Sequence, residues 1–255
     1  MISKYFEATI LAFVQGFSEF IPVSSSAHLI IISKISDLSI SSLQIDISLH
    51  LGSLIAIIFY FRKDLIDIFK NRNLALLIVL GSIPLIVVGY FFYSTGLINH
   101  FRNLKIIAWT TLLFGILLYF ADRSKNKNLI NTNLNFKNIL IIGFFQLLAI
   151  IPGVSRSGIV ITISRFLNFD RLDSTKIAFY LSIPALAGAS FLGLKDVFET
   201  GITFNLIFIY SIILSFIISY LTIKYFLIYV KNFNLNFFVY YRIFLALILF
   251  IIAYN

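Results

Sequence analysis

Two short polar knots interrupt an otherwise apolar chain and hold most of its chemistry-bearing side chains. The first carries Glu19, Pro22, Ser24, Ser25, Ser26 and His28; the second carries Pro152, Gly153, Ser155, Arg156, Ser157 and Gly158. Proline removes a helical hydrogen bond and clashes with the preceding turn, and a serine behind it is a good N-cap. Each knot therefore reads as the place where one helix stops and another starts. A helix start presents unpaired N–H groups and the positive end of the dipole, a setting that suits phosphate. Arg156 adds a fixed charge whose planar fork matches phosphate oxygens. Taken singly, each serine reads as a cap, and Arg156 as the partner that neutralises Glu19. Taken together inside apolar stretches, where polar groups are costly, they mark a functional site.

The surrounding sequence says what must position these groups. The chain has 255 residues, 60% of them hydrophobic and only 12% charged, against about 25% charged in a soluble domain. That composition excludes a soluble enzyme, a disordered chain and a secreted disulfide scaffold. The absence of cysteine excludes disulfides, thiolate nucleophiles and cysteine-based metal centres. The net charge of +9 reads as basic loops on one side of a membrane rather than as nucleic-acid binding. With Lys4 as the only early charge and Gln15 and Glu19 breaking the apolar run, the N-terminus reads as part of the mature fold and not as a cleaved signal.

Six stretches approach the length of a spanning helix: 46–61, 74–93, 103–120, 175–194, 204–230 and 237–254. The knots break two further apolar regions, 5–32 and 136–167. If both of these turn back as re-entrant hairpins, thirteen Lys and Arg fall on one side and five on the other; if both cross, the split is ten to eight. The stronger asymmetry is what insertion produces, so the re-entrant arrangement is expected, with both termini outside. Gln15, Val23, Ser24 and Ser26 match Gln146, Val154, Ser155 and Ser157 at a constant offset of 131 residues, which also sets Ser25 opposite Arg156. A hairpin plus three spans in each half makes the halves opposite in orientation, as in inverted repeats with a site between broken helices. The expected fold is thus an all-α polytopic membrane protein with an inverted-topology repeat, six transmembrane helices and two re-entrant helical hairpins. It forms a single membrane domain over 1–255, with repeat one at about 1–125 and repeat two at about 132–255.

The run Gln15-Gly16-Phe17-Ser18-Glu19-Phe20-Ile21-Pro22-Val23-Ser24-Ser25-Ser26-Ala27-His28 resembles the first signature of the bacterial undecaprenyl-diphosphate phosphatases of the BacA/UppP type. The run Pro152-Gly153-Val154-Ser155-Arg156-Ser157-Gly158 resembles their second. His50-Leu51-Gly52-Ser53-Leu54-Ile55-Ala56 and Ala178-Phe179-Tyr180-Leu181-Ser182-Ile183-Pro184-Ala185 extend the likeness almost end to end. Two positions depart from the pattern. Ala27 stands for the usual Gly, which forbids an easy left-handed backbone there. Val160 stands for the usual Thr, and Thr162 points to another side of a helix.

The resemblance implies hydrolysis of undecaprenyl diphosphate to undecaprenyl phosphate and phosphate, which recycles the lipid carrier of peptidoglycan synthesis. It also implies a place in the bacterial cytoplasmic membrane; because the first hairpin is expected to enter from outside, the head group should be reached from the outer face. In the expected chemistry Ser25 attacks phosphorus. A serine needs a base to take its proton; Glu19 is the first choice and His28 the second, since histidine is tuned near neutrality. Arg156 would hold the charge on the phosphoryl oxygens. Gln15, Ser24, Ser26, Gly153, Ser155, Ser157 and Gly158 would line the phosphate site. Gln15 lies one turn before Glu19 on the same helix face, so the pair is the candidate for a divalent cation, Mg2+ or Ca2+ by the resemblance; a hydrogen bond from Gln15 to the chain break is the other reading. His50 and Asp46, one turn apart, either line the site entrance or mark the membrane surface, and the surface is the favoured reading. His100 carries no signal, and Pro84 and Pro184 read as kinks. The competing function is a transporter or flippase of a polyprenyl phosphate or other anionic lipid, because broken inverted repeats are transporter architecture.

Overall fold

A computed structural model of the chain describes residues 2–35, 43–199 and 205–254, and every regular element among them is a helix. The first half contains α1 (Ile2–Ser18), α2 (Ser25–Ile35), α3 (Leu43–Tyr60), α4 (Arg62–Lys70), α5 (Arg72–Ser94) and α6 (Leu104–Asp122). After the small α7 (Ile130–Asn133), the second half contains α8 (Phe136–Gln146), α9 (Arg156–Phe166), α10 (Arg171–Glu199), α11 (Leu206–Asn232) and α12 (Asn236–Tyr254). The six expected spans fall on α3, α5, α6, α10, α11 and α12; the expected start at Phe204 lies outside the described residues. Five of these helices are long and apolar enough to cross a bilayer, and a sixth crossing is added if α3 and α4, bent by 68°, count as one. The chain is therefore a multi-pass membrane protein. Large apolar side chains such as Phe69, Phe191 and Leu206 stand exposed on its outside, as lipid-facing surface requires.

Two differences from the sequence reading have local causes. Helix α4 was not expected, because its charges read as a loop; Arg62, Lys63, Asp67 and Lys70 stay exposed while Ile68 is buried, an amphipathic surface helix. Helix α10 starts four residues before the expected 175, since the Asp170 side chain caps it by accepting from the Asp173 N–H at 2.7 Å. Pro184 then sits within this continuous helix, as membrane helices tolerate.

Packing is reciprocal between the halves. Helix α1 lies against α11 as α8 lies against α5, α3 lies against α11 as α10 lies against α5, and α6 packs on its own counterpart α12. Close approach relies on small residues: a Cβ at Gly52 would lie 2.5 Å from the Ile212 carbonyl oxygen, and Ser53 hydrogen-bonds Ser219 at 3.0 Å beside it. Such small-residue seams drive helix association where lipid removes the hydrophobic incentive.

Near the start of α1, the Tyr5 ring meets that of Tyr210 edge-on, close to the start of α11, and Ile32 of α2 packs against the cluster of Leu11, Ala12, Ile45 and Leu49. Helices α1 and α2 thus both reach toward the end of the molecule where α3 and α11 begin. At the opposite end, Asn128 just ahead of α7 donates its backbone N–H to Asn168 and its side chain to Leu167, immediately after α9.

A buried ionic staple closes that opposite end. Asp122 accepts Arg171 Nε at 2.6 Å and the Leu235 N–H at 2.9 Å. Arg165, fully buried, donates to the carbonyls of Asp122, Ser124 and Phe169. One carboxylate thereby ties together the ends of α6, α9, α10 and α12. Removing one member of a buried pair leaves an uncompensated charge, at a cost of about 3–5 kcal/mol. Asp122→Ala should therefore lower the thermal midpoint in detergent sharply. Arg171→Gln should lower it less, because that side chain remains 29% exposed.

Candidate active site

The two breaks meet in the middle of the bundle. Ser157 Oγ donates to the Ile21 carbonyl at 2.9 Å, and Arg156 Nη2 donates to Glu19 Oε1 at 2.8 Å. The other carboxylate oxygen, Oε2, accepts Ser25 Oγ–H at 2.8 Å and Gln15 Nε2–H at 3.0 Å. One buried carboxylate thus joins the serine of the first break to the arginine of the second. The second nitrogen of the guanidinium, Nη1, is buried and carries no hydrogen bond, a donor left for an incoming acceptor.

Both breaks are built to one local plan. Ser24 and Ser155, the residues just ahead of α2 and α9 and 131 positions apart, have positive φ of 77° and 68°. Such geometry costs a non-glycine residue about 1–3 kcal/mol and concentrates at functional sites. In each break the serine hydroxyl also pairs with the one two residues on, Ser24 with Ser26 and Ser155 with Ser157, both at 3.2 Å. Ser155 Oγ further accepts the Gly158 N–H at 3.1 Å, which caps α9. The two departures noted in the sequence are both buried inside helices, Ala27 in α2 and Val160 in α9. Ala27 lies inside α2 with ordinary helical backbone, and Thr162 turns its hydroxyl back to the Gly158 carbonyl.

A cavity of about 660 Å³ opens over this cluster. Glu19, Ser24, Ser25, Ser26, Ser155 and Arg156 form its polar floor, and Leu85, Ile86, Leu186, Phe191 and Leu192 from α5 and α10 form an apolar wall. Asp46, Arg102 and Asp196 also line it. Among the other expected residues, Gln15, Ser157, Gly153 and Gly158 lie behind the floor and do not line it. Gly153, with φ of +92°, is pressed against α6 near Ile107 and Thr110. His28 faces elsewhere: Nδ1 bonds the Ser24 carbonyl and Nε2 bonds Tyr241 Oη, both at 2.6 Å. Both ring nitrogens are engaged and neither meets Ser25.

Two residues were misplaced or missed in the sequence reading. His50 is not a surface marker: it lines the cavity and accepts Gln15 Nε2–H at its Nδ1, 3.0 Å away. Asp46, one turn earlier, lies exposed at the same lining. Arg242, an arginine within an apolar span that the sequence reading did not place at the site, is 1% exposed. It donates to the carbonyls of Pro22, Val154, Gly153 and Thr111 at 2.8–3.2 Å. Its guanidinium clasps the irregular backbone of both breaks, and the signal was its type: an arginine inside a span needs a buried partner. Arg242→Met leaves these carbonyls unsatisfied, at about 1–3 kcal/mol for each buried group. A misplacement of about 1 Å at the site costs about 10²-fold in turnover. That variant should lose both thermal stability in detergent and about that much kcat.

The proposed cation pair does not fit as it stands. Gln15 turns its NH2, not its oxygen, toward Glu19, and both carboxylate oxygens already accept from Arg156, Ser25 and Gln15. No group of three or more His, Cys, Asp or Glu able to hold a metal occurs among the described residues.

A serine, a carboxylate and an arginine meet at the two breaks, beneath an apolar-walled cavity, in a membrane-embedded helical protein. The chain belongs to the family described as bacitracin resistance protein BacA, which it matches over residues 8–248. It is 56% identical to the undecaprenyl-diphosphatase of Pelagibacter ubique (strain HTCC1062) over 256 aligned positions, covering 100% of both chains. It is 40% identical to the undecaprenyl-diphosphatase of Elusimicrobium minutum (strain Pei191), over 96% of this chain and 97% of that one. The protein of the same name from Thermodesulfovibrio yellowstonii is 37% identical, over 99% of each.

Proposed function

We propose that this chain is an integral-membrane phosphatase that hydrolyses undecaprenyl diphosphate to undecaprenyl phosphate and inorganic phosphate, thereby recycling the lipid carrier for peptidoglycan synthesis. One observation carries the reading: Ser25 Oγ–H is held on Glu19 Oε2 while Arg156 holds Oε1, all on the floor of the same cavity. Full-length relatives named undecaprenyl-diphosphatase support it. The apolar wall between α5 and α10 suits the prenyl chain, and the floor suits the diphosphate.

Ser25 Oγ attacks the terminal phosphorus and passes its proton to Glu19. The bond from that phosphorus to the bridging oxygen breaks, and the departing lipid phosphate takes the proton. Water then attacks the phosphoserine and gives a proton to Glu19, and Ser25 Oγ leaves and recovers it. Arg156 turns from Glu19 to the equatorial oxygens, where charge stabilisation is the main task of a phosphoryl-transfer site. The family resemblance implies a divalent cation, which the Gln15–Glu19 pair, with its groups already engaged, does not fit.

The inverted repeat belongs to the same proposal, with hairpins re-entering from opposite faces. The reciprocal packing of the halves, the matched positive-φ serines and the opposite ends reached by α1 with α2 and by the end of α9 support it. The basic staple then faces the cytoplasm, and the cavity opens to the outer face of the bacterial cytoplasmic membrane. Reporter fusions at Asn73 and Asn128 should read as cytoplasmic and one at the C-terminus as external; the reverse pattern overturns this orientation. The function is tested by phosphate release from a C55 lipid diphosphate by the purified protein, with and without chelator. Movement of lipid between liposome leaflets without phosphate release would favour a transporter instead.

A further inference from the structure

The amide of Gln15 fixes more than its own position. Fully buried, it directs Nε2 to two acceptors at once, Glu19 Oε2 and His50 Nδ1, each 3.0 Å away. An amide nitrogen has two hydrogens, one for each partner. The flipped amide would set Oε1 against the Glu19 carboxylate, acceptor against acceptor. Nδ1 of His50 therefore offers its lone pair, and a neutral ring then carries its proton on Nε2. Among the described residues the ring makes no hydrogen bond other than the one at Nδ1. The half-buried ring itself lines the cavity that holds Ser25 and Arg156.

We infer that His50 is a substrate-contacting residue whose Nε2–H donates to an oxygen of the bound diphosphate while its Nδ1 anchors Gln15, so that Gln15 keeps Glu19 aligned on Ser25. The inference rests on the phosphatase reading above and deepens it. Asp46, Glu19, Arg156, Arg102 and Asp196 line the same cavity as the ring. On α1, Glu7 lies about two turns before Gln15, and α11 presents Ser215 and Ser219 to α3.

The test is phosphate release from undecaprenyl diphosphate in detergent by wild type, His50→Gln and His50→Leu. A glutamine can accept from Gln15 and donate to phosphate, so His50→Gln should stay within about tenfold of wild-type kcat/KM. His50→Leu should lose about 10–100-fold in kcat/KM, the worth of a hydrogen bond to a charged group. A His50→Gln protein as impaired as His50→Leu, or a His50→Leu protein with wild-type kinetics, overturns this inference alone. No phosphate release from the wild-type protein overturns the function and the inference together.

Discussion

Ser25→Ala protein should fold, bind the lipid diphosphate and release phosphate at least about 10³-fold more slowly than wild type, in the range seen when a nucleophile is deleted from a catalytic unit. The hydroxyl is small and only part-buried, and its one hydrogen bond goes to Glu19 Oε2. Its loss leaves that oxygen still satisfied by Gln15, so stability should hardly change and KM should move less than kcat. Glu19→Gln separates the base from the nucleophile. Ser25 remains, its proton has no carboxylate to go to, and Arg156 loses its anionic partner. General-base loss is worth about 10²–10⁴-fold. Rapid quenching of wild type with lipid labelled on the terminal phosphate should trap label on the protein at Ser25. A Ser25→Ala enzyme with unchanged turnover would remove the serine from the mechanism.

Arg156→Ala should be the most damaging single change at the site, for two additive reasons. An arginine that stabilises a transferring phosphoryl group is worth about 10³–10⁵ in turnover. In the resting protein Arg156 also neutralises Glu19, with side-chain exposures of only 13% and 8%. Stripping that partner from a buried carboxylate costs about 3–5 kcal/mol. Activity and thermal midpoint should therefore fall together. Arg156→Lys divides the two effects: an ammonium restores the charge beside Glu19 but not the planar fork. The lysine variant should recover most of the lost stability and little of the lost turnover. Full activity in Arg156→Lys would show that a point charge suffices, and would remove the role given to the free Nη1.

These expectations draw on different depths of the sequence. The spans were legible because a helix buried in lipid must be apolar along its length and satisfy its own backbone, so six stretches announced α3, α5, α6, α10, α11 and α12. The breaks were legible because Pro22, Pro152 and the serines behind them are local signals, and the 131-residue offset placed Ser25 opposite Arg156 before any coordinates. The same pattern set Glu19 beside Gln15 one turn away. Long-range facing was not legible. His28 follows Ser25 closely in the chain, yet helix α2 turns its ring to Tyr241, while His50, from another helix, reaches the site.

Composition and local periodicity by themselves determined that the chain crosses a membrane, where its helices are interrupted and which residues bring charge to those interruptions. Tertiary structure alone decided which atoms meet: Arg242 spans both breaks, Gln15 shares its two hydrogens between Glu19 and His50, and Ser24 and Ser155 take up left-handed backbone. The physical reason is one of range. A helix or a cap is set by residues within a turn or two of one another. The partner of a buried polar group, by contrast, is settled when distant helices close and every donor left inside must find an acceptor.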